Sequence, residues 1–332
     1  MDMRSCRQAI VAGLKWLLTQ QEADGSFRPA ELGLNTVHKI PYALAVTGQL
    51  ERGARLCAWL NEQGLDEEGD FGGRTHREGP LAVFYHLANS WLVIGAHRMG
   101  QFGLSMKAGD FLSTLQHPQT GGFLTRGPEA SMDGMQDLMS TAMAGLAMLN
   151  IGNVGAAEAA GNFLVDAYDR QPKLSSQLLF VQQKGDRMVN EFPDDQQPAF
   201  SLNPQRPGQW YFVPGLAGGF LAKLSEVTGS AEHLRAAQNY IQYAESGGSD
   251  RYETPNGWWF GWGAAMVYAV TGVASYRKII EAVASDMVES QMSNGSWAAG
   301  SLSYEPPAPI VDATAEAIVV LTEILQHAGV GE

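Results

Sequence analysis

Two aspartates open matching apolar phrases in the sequence, DLMSTAMA at Asp137 and DATAEAIV at Asp312. A carboxylate at a helix start meets free backbone N–H groups and the positive end of the helix dipole, so each reads first as an N-cap. Two such acids facing one cavity could do more. Burial and a like-charged neighbour keep a carboxylic acid protonated, and a protonated carboxyl is a general acid. Glu316, one turn beyond Asp312, and Asp133, just before Asp137, extend the set. His76 and Glu78 in GGRTHREGP, and His38 with Tyr42 at the start of another apolar run, are the other groups suited to proton transfer near neutral pH. His86, inside an apolar run, reads as a core histidine.

The aromatic residues are a more distinctive signal. GQWYF places Trp210 and Tyr211, and NGWWFGW places Trp258, Trp259, Phe260 and Trp262, at the starts of two apolar segments. Phe84 and Tyr85 add to them. Beside the small residues Gly215, Gly218, Gly219, Gly263, Ala264 and Ala265, they have the character of pocket walls. Aromatic faces attract cations by about 0.5–2 kcal/mol each. They also stack on sugar rings.

These groups need a scaffold that brings segment starts together. Apolar residues at helical spacing dominate the chain, and strand-like alternation is scarce. Twelve helical segments are expected, near 5–20, 37–49, 51–63, 80–98, 102–116, 133–150, 153–169, 209–227, 230–245, 260–271, 273–291 and 310–328. The odd-numbered segments carry charges on one face, as in RAAQNYIQYAE at 235–245. The even-numbered ones are apolar nearly all round, the mark of helices buried on every side. Short links such as IGNVG at 151–155 and VTGVAS at 270–275 make antiparallel neighbours. Amphipathic helices alternating with buried ones close most simply as an all-α (α/α)6 toroid, one domain over residues 1–332 with an inner and an outer ring.

A repeated phrase supports this. QEADGSF at 21–27, QHPQTGGF at 116–123 and QMSNGSW at 291–297 each follow an amphipathic segment. In each, the glycine permits the chain to reverse, and the aromatic is expected to plug the seam to the next hairpin. Residues 171–208 break the pattern. LLFVQQKGDRMVNEF reads as a β-hairpin around Lys184, Gly185 and Asp186, followed by a Pro-rich polar stretch. An insertion this long is a candidate lid over the central opening.

Composition bounds the function. The chain has 332 residues, a formal charge of −13 and no cluster of Lys or Arg, which argues against a nucleic-acid partner. Its two cysteines, Cys6 and Cys57, exclude a disulfide framework and a Cys-rich metal site. No apolar run approaches a membrane span. No metal or cofactor is expected, and the expected compartment is the cytoplasm.

The Gln-Gly-aromatic repeats, the alternating helix pairs and the DLMSTAMAGLAML start at 137–149 resemble the terpenoid-cyclase and protein-prenyltransferase superfamily of α/α toroids. Squalene-hopene-type cyclases in that superfamily protonate an alkene with an Asp-x-Asp-Asp-Thr-Ala motif. Here the phrase is Asp137-Leu138-Met139-Ser140-Thr141-Ala142, with Met139 at the proton donor's place. Asp194-Asp195-Gln196-Gln197-Pro198 lacks the third acid of a metal-binding DDxxD motif, and neither cysteine sits in an Asp-x-Cys zinc phrase. The resemblance implies a metal-independent cyclase, isomerase or lyase acting on an apolar, isoprenoid- or polyene-like molecule. A glycan-active enzyme with a Trp-lined cleft and paired carboxylates, or a non-catalytic binding toroid, are the alternatives. An apolar cavity favours the first, an open polar groove the second.

Overall fold

The computed structural model describes residues 2–28, 34–72, 80–127, 134–183, 187–298 and 310–329. In chain order its helices are α1 (Met3–Leu18), α2 (Leu34–Val37), α3 (Ile40–Val46), α4 (Leu50–Gln63), α5 (Pro80–Val83), α6 (Leu87–Arg98), α7 (Phe102–Ser113) and α8 (Leu138–Asn150). Then follow α9 (Val154–Asp169), α10 (Gln197–Phe200), α11 (Phe212–Thr228), α12 (Ala231–Glu245), α13 (Trp258–Thr271), α14 (Ser275–Glu289) and α15 (Ile310–Ala328). Short strands are β1 (Gln136–Asp137), β2 (Leu178–Leu179), β3 (Val181–Gln183), β4 (Arg187–Met188) and β5 (Ser201–Leu202).

The buried helices close into a ring. α3 packs on α6, α6 on α8, α8 on α11, α11 on α13, α13 on α15, and α15 returns to α3. Each amphipathic helix lies outside the buried helix that precedes it, and α1 closes the outer layer against α15. This is the expected α/α toroid. Three inner segments begin differently from the sequence pattern. Pro41 starts α3 afresh after the single turn of α2, because a proline in the first turn needs no N–H donor. The expected 80–98 helix is divided into α5 and α6 at residues 84–86. The expected 133–150 helix starts at Leu138, since Gln136 and Asp137 are extended and pair with β3.

The repeated phrase is a double clamp between hairpins. Gln21 Nε2 donates to its own turn at Gly25 O (3.1 Å) and to Arg52 O of α4 (3.0 Å). Gln116 does the same with Gly121 O and Ala156 O of α9, and Gln291 with Gly295 O and Ala9 O of α1. The Gln291 clamp joins the last turn to the first helix. The aromatic backbone N–H is then taken by the next inner helix: Phe123 N by Thr141 Oγ1 and Trp297 N by Thr314 Oγ1, both at 3.0 Å. Phe27, Phe123 and Trp297 are buried in the seams, as their placement predicts. DEEGDF carries a fourth copy in which Phe71 N donates to Asn89 Oδ1 (3.1 Å).

Gly121 shows why the turn demands glycine. Its φ is +79°, and a Cβ there would stand 2.2 Å from Ala159 O of the next outer helix. Gly152, in a short inner-to-outer link, has a φ of +80° but open space around a Cβ. Gly121→Ala is therefore expected to cost about 2–4 kcal/mol and Gly152→Ala only about 1–2 kcal/mol. Urea unfolding of the two variants checks this; equal costs would mean the close approach contributes nothing.

The insertion forms the expected hairpin, β3 pairing antiparallel with β4, although residues 184–186 of its turn lie outside the described residues. Its first run supplies two strands instead of one. β2 pairs with β5, while β3 pairs with β1 at the start of α8. Leu138 N also donates to Phe180 O at 3.0 Å. The insertion is thus fastened at the end of the toroid where the inner helices begin.

Candidate active site

The ring order decides which side chains meet. α8 and α15 are opposite members of the inner ring, as are α6 and α13, and α3 and α11. Helix axes pack about 8–10 Å apart, so opposite axes in a ring of six stand about 16–20 Å apart. Asp137 and Asp312 therefore begin helices facing each other across the mouth, too far apart for one carboxyl to keep the other protonated. The like-charged neighbour of Asp312 is instead Glu316, one turn along its own helix.

Between Asp312 and Glu316 lies Lys39, buried at the start of α3. Its ammonium donates to Asp312 Oδ2 and Glu316 Oε2, each at 2.7 Å. His38 Nε2 stands 3.5 Å from Asp312 Oδ1, which accepts no hydrogen bond among the described residues. Glu316 Oε1 accepts from Trp259 Nε1 at 2.7 Å. This fixes an indole of α13 against the acids of α15.

The indoles then cross the axis. Trp91 of α6 meets Trp259 of the opposite helix α13, ring centroids 5.4 Å apart and edge to face. Trp262 packs on Trp259 at 5.0 Å and Tyr42 on Trp91 at 5.8 Å. Lys39 Nζ lies 5.7 Å from the Trp91 ring centroid. A large side chain from each of two opposite helices fills the span that bare helices would leave open. Trp91 and Trp259 are thus a floor across the toroid, with Asp312 and His38 beside it. Trp262 reaches this position because Gly219 faces it: a Cβ there would sit 2.1 Å from the indole.

The remaining sequence candidates are distributed around this centre. Asp137 caps α8, accepting from Ser140 N (2.8 Å) and Thr125 Oγ1 (2.7 Å). Tyr85 donates its hydroxyl to Asp70. Phe84 and Trp210 face each other at 6.2 Å, and since α8 lies between α6 and α11 in the ring, this contact reaches over the start of α8. Tyr211 turns toward the outer layer, where its hydroxyl accepts from Gly248 N at 3.2 Å. Trp258 likewise donates to Thr254 Oγ1 at 3.0 Å, in the loop held by Asp286 of α14. His86 packs against Phe123 with ring centroids 5.7 Å apart, consistent with a core residue. His76, Glu78 and Asp133 lie outside the described residues.

Burial sets the electrostatics. It is the largest cause pushing the Asp312 carboxyl up to about 7; the charge of Glu316 adds to it, and Lys39 pulls it back. For Lys39, burial alone would disfavour the ammonium, but Asp312 and Glu316 outweigh it and hold the group above the ordinary lysine range. Asp137 is also raised by burial, against the hydrogen bonds that favour its charged form. Near neutral pH, Asp312 is therefore the group balanced between acid and carboxylate.

Sequence reading passed over Lys39 and Trp91. Lys39 was detectable in TVHKIPYALAV as a single cation inside an otherwise apolar inner segment, a position that burial permits only with a partner. Nothing in the pattern separates Trp91 from a core residue, because only ring closure brings it to Trp259.

Solved structures similar to this chain share the toroid. Over 98% of its length it is similar to the type II terpene cyclase MstE from Scytonema, solved with geranylgeranyl dihydroxybenzoate as substrate, with a TM-score of 0.62, 13% identity and 98% of that chain covered. A GH76 alpha-mannanase of Bacteroides thetaiotaomicron matches 98% of this chain with a TM-score of 0.65, 12% identity and 97% of its own length covered. A D-mannose isomerase matches with a TM-score of 0.66 and 11% identity over 97% of each chain. At such identities the likeness shows the α/α fold alone. No family model matches the chain, and no curated protein does.

Proposed function

We propose that this chain is an enzyme that rearranges an apolar, polyene- or isoprenoid-like molecule by proton transfer, as a cyclase, isomerase or lyase, with Asp312 as the acid. The observation that carries the reading is a buried carboxyl balanced near neutrality, its Oδ1 accepting no hydrogen bond among the described residues and its Lys39 partner lying against the Trp91 ring. In the first step the Asp312 O–H bond breaks and its proton forms a C–H bond with an alkene carbon, leaving the positive charge on the neighbouring carbon. The Asp312 carboxylate so formed is stabilised by the Lys39 ammonium at 2.7 Å. The faces of Trp91, Trp259 and Trp262 stabilise the cation by about 0.5–2 kcal/mol each. Further alkenes can close rings on it before a proton leaves to end the reaction. His38, 3.5 Å from Oδ1, stands where it can return a proton to Asp312. The insertion at 171–208, fastened to the start of α8, covers the mouth in this reading.

Glycan cleavage fits less well. A retaining glycosidase holds its two carboxyls about 5–5.5 Å apart with the sugar between them. Here Asp312 and Glu316 share one ammonium, which occupies that space.

The test is native mass spectrometry of the purified chain against a pool of prenyl and polyene compounds and a pool of oligosaccharides. Retention and conversion of an apolar compound supports the proposal; conversion of a sugar sinks it. The pH dependence is a second check. Turnover should fall as pH rises through about 7 with the loss of the Asp312 proton. In Glu316→Gln the like charge that raises Asp312 is gone, so the falling limb should move to lower pH. An unmoved limb would assign it to another group.

A further inference from the structure

The opposite end of the toroid holds a second charged centre. Glu323 of α15 is buried and accepts from Arg98 Nη1, at the end of α6, at 2.6 Å. Arg98 Nε donates to Asn150 Oδ1 at 3.3 Å, and its guanidinium stacks 4.6 Å from the Tyr42 centroid. His327 Nε2 lies 3.7 Å from Glu323 Oε2. Lys223 of α11 completes the set, with Met266 Sδ, 3.6 Å away, as the described acceptor for its ammonium. Tyr42, Arg98, Asn150, Lys223, Met266 and Glu323 come from all six inner helices, and Glu323 lies about three turns beyond Asp312 along α15.

Within the buried part of this centre Arg98 and Lys223 face a single acid, Glu323, while the further acid that Lys223 feels, Glu226, is exposed. Burial, the largest cause, and repulsion from Arg98 hold the Lys223 ammonium below the ordinary lysine range despite Glu323. Arg98 and Lys223 keep N–H donors beyond those engaged with Glu323, Asn150 and Met266. The side chains of Arg98 and His327 are 28% and 26% exposed, so the centre opens to solvent.

We infer that this end of the toroid binds a small oxoanion of the phosphate class between Arg98, Lys223 and His327. An oxoanion supplies acceptors for the remaining donors and offsets the surplus charge, while Glu323 anchors Arg98 from below. The site does not depend on the proposed reaction, because Arg98, Lys223 and His327 take no part in it.

The test is isothermal titration of the full chain with inorganic diphosphate at neutral pH and low ionic strength, where screening is weak. One site is expected, with affinity falling about tenfold or more in Lys223→Met, as for loss of a charge-assisted hydrogen bond. Should Lys223→Met lose its helical circular dichroism, His327→Asn carries the same comparison. No heat in the wild-type chain, or equal affinity in the wild type and the folded variants, overturns the inference. A long-chain alkyl phosphate should bind no more tightly than diphosphate; much tighter binding would identify a lipid-like head-group site and overturn a free-anion one.

Discussion

Asp312→Asn should reduce turnover by about 10²–10⁴-fold, the usual contribution of a general acid, while leaving the toroid folded. The substitution keeps the shape of the side chain and an oxygen for Lys39 to bond, but it cannot donate to an alkene. Because it also removes one of two close carboxylates, it should not raise the cost of burial. Asp137→Asn is the matched control. Asparagine caps helices about as well as aspartate, so that variant should retain both stability and most activity. Steady-state rates with any converted substrate, together with thermal melts, separate the two positions. Equal losses at both would mean that neither position is specifically the acid.

Lys39→Met should be the most destabilising change at the site, and its cost should depend on pH. Removing one partner of a buried ionic group costs about 3–5 kcal/mol, because the remaining charges lose their compensation. Here two carboxylates lose the same ammonium. Lys39 pulls Asp312 down, so without it the Asp312 carboxyl moves further above 7 and takes up a proton instead of staying ionised. The full cost therefore applies at alkaline pH, where Asp312 must be charged, and shrinks as pH falls and Asp312 protonates. The wild type has the same sign in weaker form. A folded-state value of about 7 against an ordinary 3.8 gives Asp312 a stabilising contribution that is complete below pH 4 and lost as pH rises through 7. Denaturant unfolding at pH 5 and pH 8.5 measures the effect. A cost independent of pH would show that the lysine contributes packing alone, and Lys39→Met/Glu316→Gln should recover part of the loss if the charges are coupled.

The toroid was legible because its signals are local and repeated. Buried helices without a polar face, short inner-to-outer links and three Gln-Gly-aromatic turns each state the same geometry independently; the clamp made by each repeat's Gln was added by the structure. Helix starts were less legible where they depend on partners distant in sequence: Asp137 is extended because Val181 pairs with it from the insertion. The site was legible in part for the same reason. Asp312, His38, Tyr42, Trp259 and Trp262 could be picked out as polar or aromatic groups at inner-helix starts, and they do converge. The orientation of a side chain around its helix axis is harder to read there, which is why Trp258 and Trp259, adjacent in sequence, serve the outer layer and the centre respectively. Trp91 and Glu323 required the ring order, since each gains its role from a helix far away in the chain, whereas Lys39 stood out as a lone cation and only its partners needed that order.

The central claim is that Asp312 delivers a proton to carbon. Turnover of the prenyl and polyene pool in D2O, followed by mass spectrometry of the products, reads that step directly. The account predicts products carrying one deuterium at carbon from the wild-type chain and from Asp137→Asn, and none formed by Asp312→Asn. Products without deuterium, or undiminished conversion by Asp312→Asn, would contradict it.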